Sequence, residues 1–517
     1  MMRNTSRMAM AALMGLGLAT GTAGAATLRV HQDADIRSTD PGVNRDGNTD
    51  LVVLHMVEGL MGYAAQGMPQ PLLAESVSLS EDGKTYTFKL RSGVKFHNGE
   101  TLTADDVVWS WNRFLDPKTN WRCLTDFNGR IGLKVESVKA VDPLTVEIKI
   151  NERSPLFLSS IARSDCGMTA ITHRASLKPD GSWDKPIGTG PFKLAEWRNR
   201  EYISLAKFDE YSNPAGKPNG YVGSKRPLVD EIRFMVISDP ATAKAALVRG
   251  DIDILPRIPY AEAGELKANA NIEVSVKPGL APTTFTLQTR DPLLSNVKLR
   301  QAIAAAIDYR EMVSSVTYDL TTPNNSLVPV ASPYHTDVHK QGYKHDPARA
   351  KQLLTEAGYK GETITIITNK RNQANFDAAI ILQAMLETAG MKATVEVLEW
   401  GAQQDRWQKG NYQIMAFGYS SRMDPALSYE AVMGPKDSQP RKLWEDKGAL
   451  EILGKVTAET DTAKRQALFD ALHKQMLEQV PVITIFNTLA AGANRKSVKG
   501  YASNVFSAPT LWETTKD

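Results

Sequence analysis

Cysteine is nearly absent from this 517-residue chain, which has only Cys123 and Cys166. Two cysteines cannot complete a tetrahedral zinc site unaided, and no histidine stands at metal spacing from either. In an oxidising compartment the pair reads as one disulfide; the alternative is two buried free thiols. Charge of one sign is also missing. The formal net charge is +3, and Arg3 and Arg7 sit at the extreme N-terminus, so the remainder is closer still to neutral. That balance gives no electrostatic basis for holding nucleic acid or an anionic membrane. The longest apolar run, Met8 to Ala19, falls well short of the ~20 residues that span a bilayer, and no later segment approaches that length. There is no G-x-S-x-G, no H-E-x-x-H and no P-loop, so the common hydrolase, zinc-protease and nucleotide signatures are all missing. Tandem repeats and low-complexity tracts are absent too.

What is present reads first as an exported leader. Arg3 and Arg7 supply a positive start, Met8 to Ala19 an apolar core, and Ala23-Gly24-Ala25 a small-residue cleavage site, so residues 1–25 are expected to be removed. No cysteine follows the apolar core, which leaves no lipoprotein anchor and implies a free, exported protein. With 42% hydrophobic and 23% charged residues, the rest is ordinary for a globular chain of two to four domains.

The chain is organised around Leu73 to Pro117. Asp82-Gly83 is turn chemistry, and Thr85 to Leu90 alternates with Tyr86, Phe88 and Leu90 on one face. Val94 to Phe96 reads as a short strand between Ser92-Gly93 and Asn98-Gly99. Thr103 caps a helix with Asp106 at its third position, Val107, Val108, Trp111, Phe114 and Leu115 form its apolar stripe, and Pro117 stops it. Asn48 to Tyr63 has helical spacing. Val135 to Ile150 reads as two strands turning at Asp142-Pro143. Gly188-Thr189-Gly190-Pro191 precedes a strand, not a helix, which argues against a phosphate cradle. Strand, helix and strand follow over Val229 to Val236, Asp239 to Arg249 and Asp251 to Leu255. Further on come a strand at Thr283 to Thr289, one helix through Leu299, Ile303, Ile307 and Val313, and a helix from Asp346 to Gly358. A βαβ unit at Ile364 to Leu398 and a helix at Thr462 to Gln479 complete the pattern of an α/β protein.

The Leu73–Pro117 stretch, Glu58-Gly59-Leu60, Gln70 to Ser76, Gly188 to Pro191 and the Asn296 to Val313 helix together resemble family 5 of the bacterial solute-binding proteins, the peptide-type binders of ABC importers. The resemblance implies a two-lobed periplasmic-binding-protein fold, type II and cluster C-like, with mixed sheets and a small subdomain inserted in lobe one. The expected division is 26–45, 180–282 and 487–517 for lobe one, 46–179 for the insert and 283–486 for lobe two. It further implies a periplasmic monomer that spans no membrane, needs no cofactor and is no enzyme. Its partners would be a peptide-like solute and an inner-membrane permease with its ATPase subunits.

Candidate ligand residues gather in lobe two: Arg371, Trp400, Tyr419, Ser421, Arg422 and Asp424. A cleft for a zwitterion wants an aromatic wall, an acid for an amine, and an arginine whose planar fork pairs with a carboxylate. Peptide-binding members place an aspartate three residues before an acidic-Pro pair; counting back from Asp424-Pro425 gives Ser421. That departure keeps open a non-peptide solute such as an opine, a modified amino acid, an oligosaccharide or a nickel chelate. His335, His339 and His345 read as a solvated loop in place of a metal site.

Overall fold

The computed structural model describes residues 26–43, 47–130, 132–459, 461–506 and 509–517; the expected leader, residues 1–25, lies outside them. One ten-stranded mixed sheet runs through the molecule. In spatial order its strands are Lys392–Val397, Thr363–Thr368, Ile414–Gly418, Ile272–Leu287, Val482–Arg495, Ile254–Leu255, Thr27–Gln32, Glu231–Val236, Tyr202–Lys207 and Phe192–Arg198. Its two central strands are 16 and 14 residues long and pair antiparallel along most of their length. Their register slips twice, between Thr283 and Thr284 by one residue and, more widely, between Pro278 and Pro282. Pro278 faces Leu489 and Pro282 faces Asn487, so four steps on one strand match two on the other. Proline has no N–H to donate, and two of them close together prevent a regular ladder. Gly279 lies in the break, where a Cβ would sit 2.6 Å from the Thr488 carbonyl oxygen.

Strand directions follow from the pairings. Ile254–Leu255 is antiparallel to Val482–Arg495 and so runs with Ile272–Leu287; Thr27–Gln32 and Glu231–Val236 run the same way. On the other side Ile414–Gly418 is antiparallel to Ile272–Leu287, with Thr363–Thr368 and Lys392–Val397 parallel to it. The carboxyl ends of both halves therefore point at the break from opposite directions.

A separate four-stranded antiparallel sheet holds Ala74–Leu79, Thr85–Leu90, Thr145–Ile150 and Val135–Asp142 in that order. Tyr86, Phe88 and Leu90 face its core, as the alternation requires. The helix Ala104–Leu115 covers that core with Val107, Trp111 and Phe114. Its first turn is closed by the Asp106 carboxylate, which accepts from the Thr103 N–H at 2.9 Å and the Thr103 hydroxyl at 2.8 Å. Cys123 and Cys166 are joined as a disulfide beside this core, 43 residues apart in sequence.

Three expectations change. Val94 to Phe96 is no strand; only a Lys95–Thr101 bridge forms there. The helix at Asn48 spans only Gly47–Val53, and Met61–Tyr63 is a strand paired with Pro69–Pro71. Tertiary pairing overrides the periodicity, because the Met56, His55 and Glu58 carbonyls accept from Gly190, Phe192 and Ile171. The helix through Val313 is broken into Val297–Ala306 and Tyr309–Thr317, because Asp308 caps the second with bonds to the N–H groups of Arg310 and Glu311.

Two of the segments that carry the family resemblance, Glu58-Gly59-Leu60 and Gly188 to Pro191, meet at one buried carboxylate. Glu58 pairs with the Lys225 ammonium at 2.9 Å, and neither side chain reaches solvent. Tyr211 donates its phenol to the same carboxylate at 2.8 Å and Thr189 its hydroxyl at 3.0 Å. Burial opposes ionisation of Glu58, but the charges of Lys225 and Arg91 and the bonds from Lys225 and Tyr211 outweigh it and hold the carboxyl below its ordinary value. Lys225 also lies over the Trp512 ring at 4.5 Å. The glycines flanking Thr189 allow contact with the chain at Met56: a Cβ at Gly188 would lie 2.3 Å from its carbonyl oxygen.

Replacing Glu58 with Gln leaves the Lys225 charge buried without compensation and is expected to destabilise the fold by about 3–5 kcal/mol. Denaturant unfolding measures this, and the double variant Glu58→Gln/Lys225→Met should recover a large part of the loss.

Candidate functional site

In open α/β sheets ligands gather beyond the carboxyl ends of the strands. Here two such edges face one another across the broken ladder, and every candidate from the sequence lies beyond a strand end of the second half. Arg371 follows Thr363–Thr368, Trp400 follows Lys392–Val397, and Tyr419 to Asp424 follow Ile414–Gly418.

Arg371, Trp400 and Tyr419 come together around a ring stack. Trp400 and Phe417 are parallel at 6.4 Å between centroids, and Trp407 stacks on Phe417 at 5.4 Å. Tyr419 meets Phe417 edge-on at 5.1 Å. Guanidiniums close both ends, with Arg371 over Trp400 at 5.2 Å and Arg441 over Trp407 at 5.6 Å. Trp400 is 38% exposed, a large apolar face offered to solvent, whereas Tyr419 is buried and its phenol is pushed well above the ordinary value by that burial. Trp400 and Arg371 are therefore the members of the stack that a solute can reach.

Ser421 and Arg422 lie apart from the stack, on the side of the four-stranded subdomain. Met423 packs against that subdomain's core. Burial first, and the neighbouring Arg163 next, lower the Arg422 pKa from its ordinary value; Asp165 and Asp126 act in the other direction. Those two carboxylates are taken by Arg163, so none among the described residues lies within ion-pair distance of Arg422. Ser421 is half-buried.

Asp424 turns inward. Its two carboxylate oxygens accept from Arg465 at 2.7 and 2.8 Å, and one also caps the helix Pro425–Val432 through the Ala426 N–H at 2.9 Å. Both members of the ion pair are buried. This carboxylate holds scaffold together and is not presented at the strand edge.

The opposite wall came from residues that the sequence did not single out. A cavity of about 300 Å³ sits on the first half beside the break, lined by Arg257, Thr488, Tyr501, Ser503 and Asn504 among others. Arg257 lies just past the carboxyl end of Ile254–Leu255, and Tyr501 to Asn504 come from the C-terminal tail. Arg257 is exposed, with its guanidinium close to Gly47. Neither segment carries a periodic pattern; the one available signal was the alternating Asp251 to Leu255 stretch ending in Pro256-Arg257.

Among the described residues, the close group of ligand-type atoms is Cys123, Asp126 and Cys166, and its sulfurs are consumed by the disulfide. His345 stands beside Asp308, away from His335 and His339, whose rings are 5.9 Å apart. No helix among the described residues is long and apolar enough to cross a membrane.

Residues 68–439 match the model of bacterial extracellular solute-binding proteins, family 5. The dipeptide-binding protein of Escherichia coli strain K12 is 29% identical over 459 residues, covering 83% of each chain. The glutathione-binding protein GsiB of the same strain is 26% identical over 510 residues, covering 95% of each. Among solved structures, HbpA2 from Haemophilus parasuis superposes with a TM-score of 0.83 at 24% identity, covering 95% of this chain and 100% of that one. AgaA of A. tumefaciens R10, in complex with agropinic acid, gives 0.71 at 26% identity, covering 95% and 99%.

Asp424→Asn removes a buried partner from Arg465 and is expected to cost about 3 kcal/mol or more of stability in the ligand-free protein. Denaturant unfolding without solute checks this; unchanged stability would mean that the Arg465 pair contributes nothing.

Proposed function

This chain belongs to family 5 of the bacterial extracellular solute-binding proteins, and on that premise we propose that it captures a small peptide-like solute between two lobes and delivers it to an ABC permease. The lobes divide at the broken ladder, with 283–486 on one side and 26–45, 180–282 and 487–517 on the other; 46–179 is the insert. Bending there brings the two carboxyl edges together. A solute that touches both walls stabilises the closed form by its differential affinity, and the closed form docks on the permease. Energy comes from ATP hydrolysed by a partner subunit. The observation that carries this reading is the convergence of both carboxyl edges on the break, with uncommitted side chains on each.

Within the cleft, Trp400 supplies an apolar face, Arg371 and Arg422 carboxylate-binding forks, and Ser421 a neutral polar contact. A second reading, a non-peptide solute, is favoured by Asp424. With Ser421 three residues before it and Asp424 itself bound to Arg465, that segment presents no acid to a peptide amine. The agropinic acid complex of AgaA belongs to a protein of similar sequence distance.

Cleavage of an export leader after Ala25 is in keeping with the contacts of Ala26. The Ala26 nitrogen lies 2.8 Å from a carboxylate oxygen of Asp230. Cleavage after Ala25 would make that nitrogen an ammonium and the contact a charged one.

A thermal-shift screen of the mature protein against dipeptides, longer peptides, opines, sugars and nickel chelates tests the function. A solute at a hundred times its Kd is expected to add about 2.7 kcal/mol of stability. With the solute identified, Arg422→Ala should weaken binding by at least ~1.5 kcal/mol. A shift with peptides supports the first reading, a shift only with another class supports the second, and silence from every class contradicts both.

A further inference from the structure

We infer that the solute carries at least two carboxylates, and that arginines from both sides of the break hold them. The inference rests on the solute-binding reading above and adds the charge of the solute.

Three guanidiniums stand beyond the carboxyl ends that face the break: Arg257 on the first half, Arg371 and Arg422 on the second. None has a carboxylate within ion-pair distance among the described residues. Elsewhere the buried and half-buried arginines are engaged. Arg113, Arg122, Arg163 and Arg465 each meet a carboxylate, and Arg300 donates to backbone carbonyls. Arg422 is the exception, drawn partly out of water without any hydrogen-bond acceptor among the described residues. A guanidinium in that position is costly until an oxyanion fills its fork. Arg371 is held ready by the Trp400 face, and Arg257 borders the cavity by Thr488.

The acids at the same edges do not fill these forks. Asp424 is bound by Arg465, and Asp35 accepts from the Trp197 indole and the Arg200 N–H. Asp33, Glu399 and Glu430 remain, all exposed; Glu430 acts on Arg422 from a distance and forms no ion pair with it. Exposed charges, Arg257 and Arg371 included, are screened by solvent and salt, whereas half-buried Arg422 is screened much less. With open forks on both sides of the break, a solute with two or more carboxylates is matched and one with a single carboxylate leaves an arginine unpaired.

Calorimetric titration of the full mature protein with three matched probes tests this: alanyl-alanine amide, alanyl-alanine, and γ-glutamyl-alanine, which carry none, one and two carboxylates. Any solute found in the wider screen is scored by the same count. The expected result is at least tenfold tighter binding of γ-glutamyl-alanine than of alanyl-alanine, weakening steeply with salt. Arg257→Gln should remove most of that difference and leave alanyl-alanine within about threefold, whereas Arg422→Gln should weaken both carboxylate-bearing probes. Arg257 is exposed, so its variant tests the inference even if the Arg422 variant is unstable. Equal binding of the one- and two-carboxylate probes, or equal weakening of both by Arg257→Gln, would overturn the inference and leave solute binding standing. No binding by any probe or screened solute would overturn both.

Discussion

Everything proposed for this protein depends on one interruption in a hydrogen-bonded ladder. Two long strands pass between the halves of the main sheet, and between Pro278 and Pro282 their pairing is lost while Leu489 and Asn487 stay in place. Two prolines withhold their N–H groups, and Gly279 keeps the chain close to Thr488 where any side chain would collide. An unbroken ladder through the same point would make the sheet a single stiff body. The interruption supplies a place to bend, and the antiparallel pairing on each side of it fixes which strand ends look into the bend.

Local chemistry then decides which groups are left for a solute. Asp424 has its oxygens filled by Arg465 and a helix start, and Asp126 and Asp165 are filled by Arg163. Trp400 rests on Phe417, on which Trp407 also stacks, so its position is set by a ring buried in the protein. The groups that remain are a flat apolar face and several arginine forks, supported by rigid elements. The inserted subdomain contributes by position: its core takes in Met423, which ties the Arg422 segment to a body outside the second half.

Much of this was legible in the sequence wherever a local signal and the tertiary structure agree. Thr103 with Asp106, Asp239 with Gly250 and the alternation of Thr85 to Leu90 specify caps and faces that the structure keeps. The Asn48 helix was over-read because its apolar spacing serves a buried crossing, not a helix face; Met56 and His55 spend their carbonyls on the glycine-containing segment at Gly190. Glu58, Thr189 and Lys225 lie far apart in the chain, and no spacing rule joins them. The Arg371–Trp400–Tyr419 group was visible because it follows strand ends of a recognisable βαβ unit. The wall containing Arg257, Tyr501 and Ser503 was not, since a two-residue strand and an irregular tail leave no periodic trace. The role of Asp424 was hidden too, because Arg465 lies 41 residues further on.

The central claim is that solute binding closes the molecule at the Pro278–Pro282 break. Small-angle X-ray scattering of the mature protein, titrated with the tightest solute found in the thermal screen, tests it most directly. The account predicts a radius of gyration that falls with solute and saturates at the same concentration as binding. Saturable binding with no contraction would contradict it, placing the solute on one half alone and leaving the broken ladder without its proposed purpose.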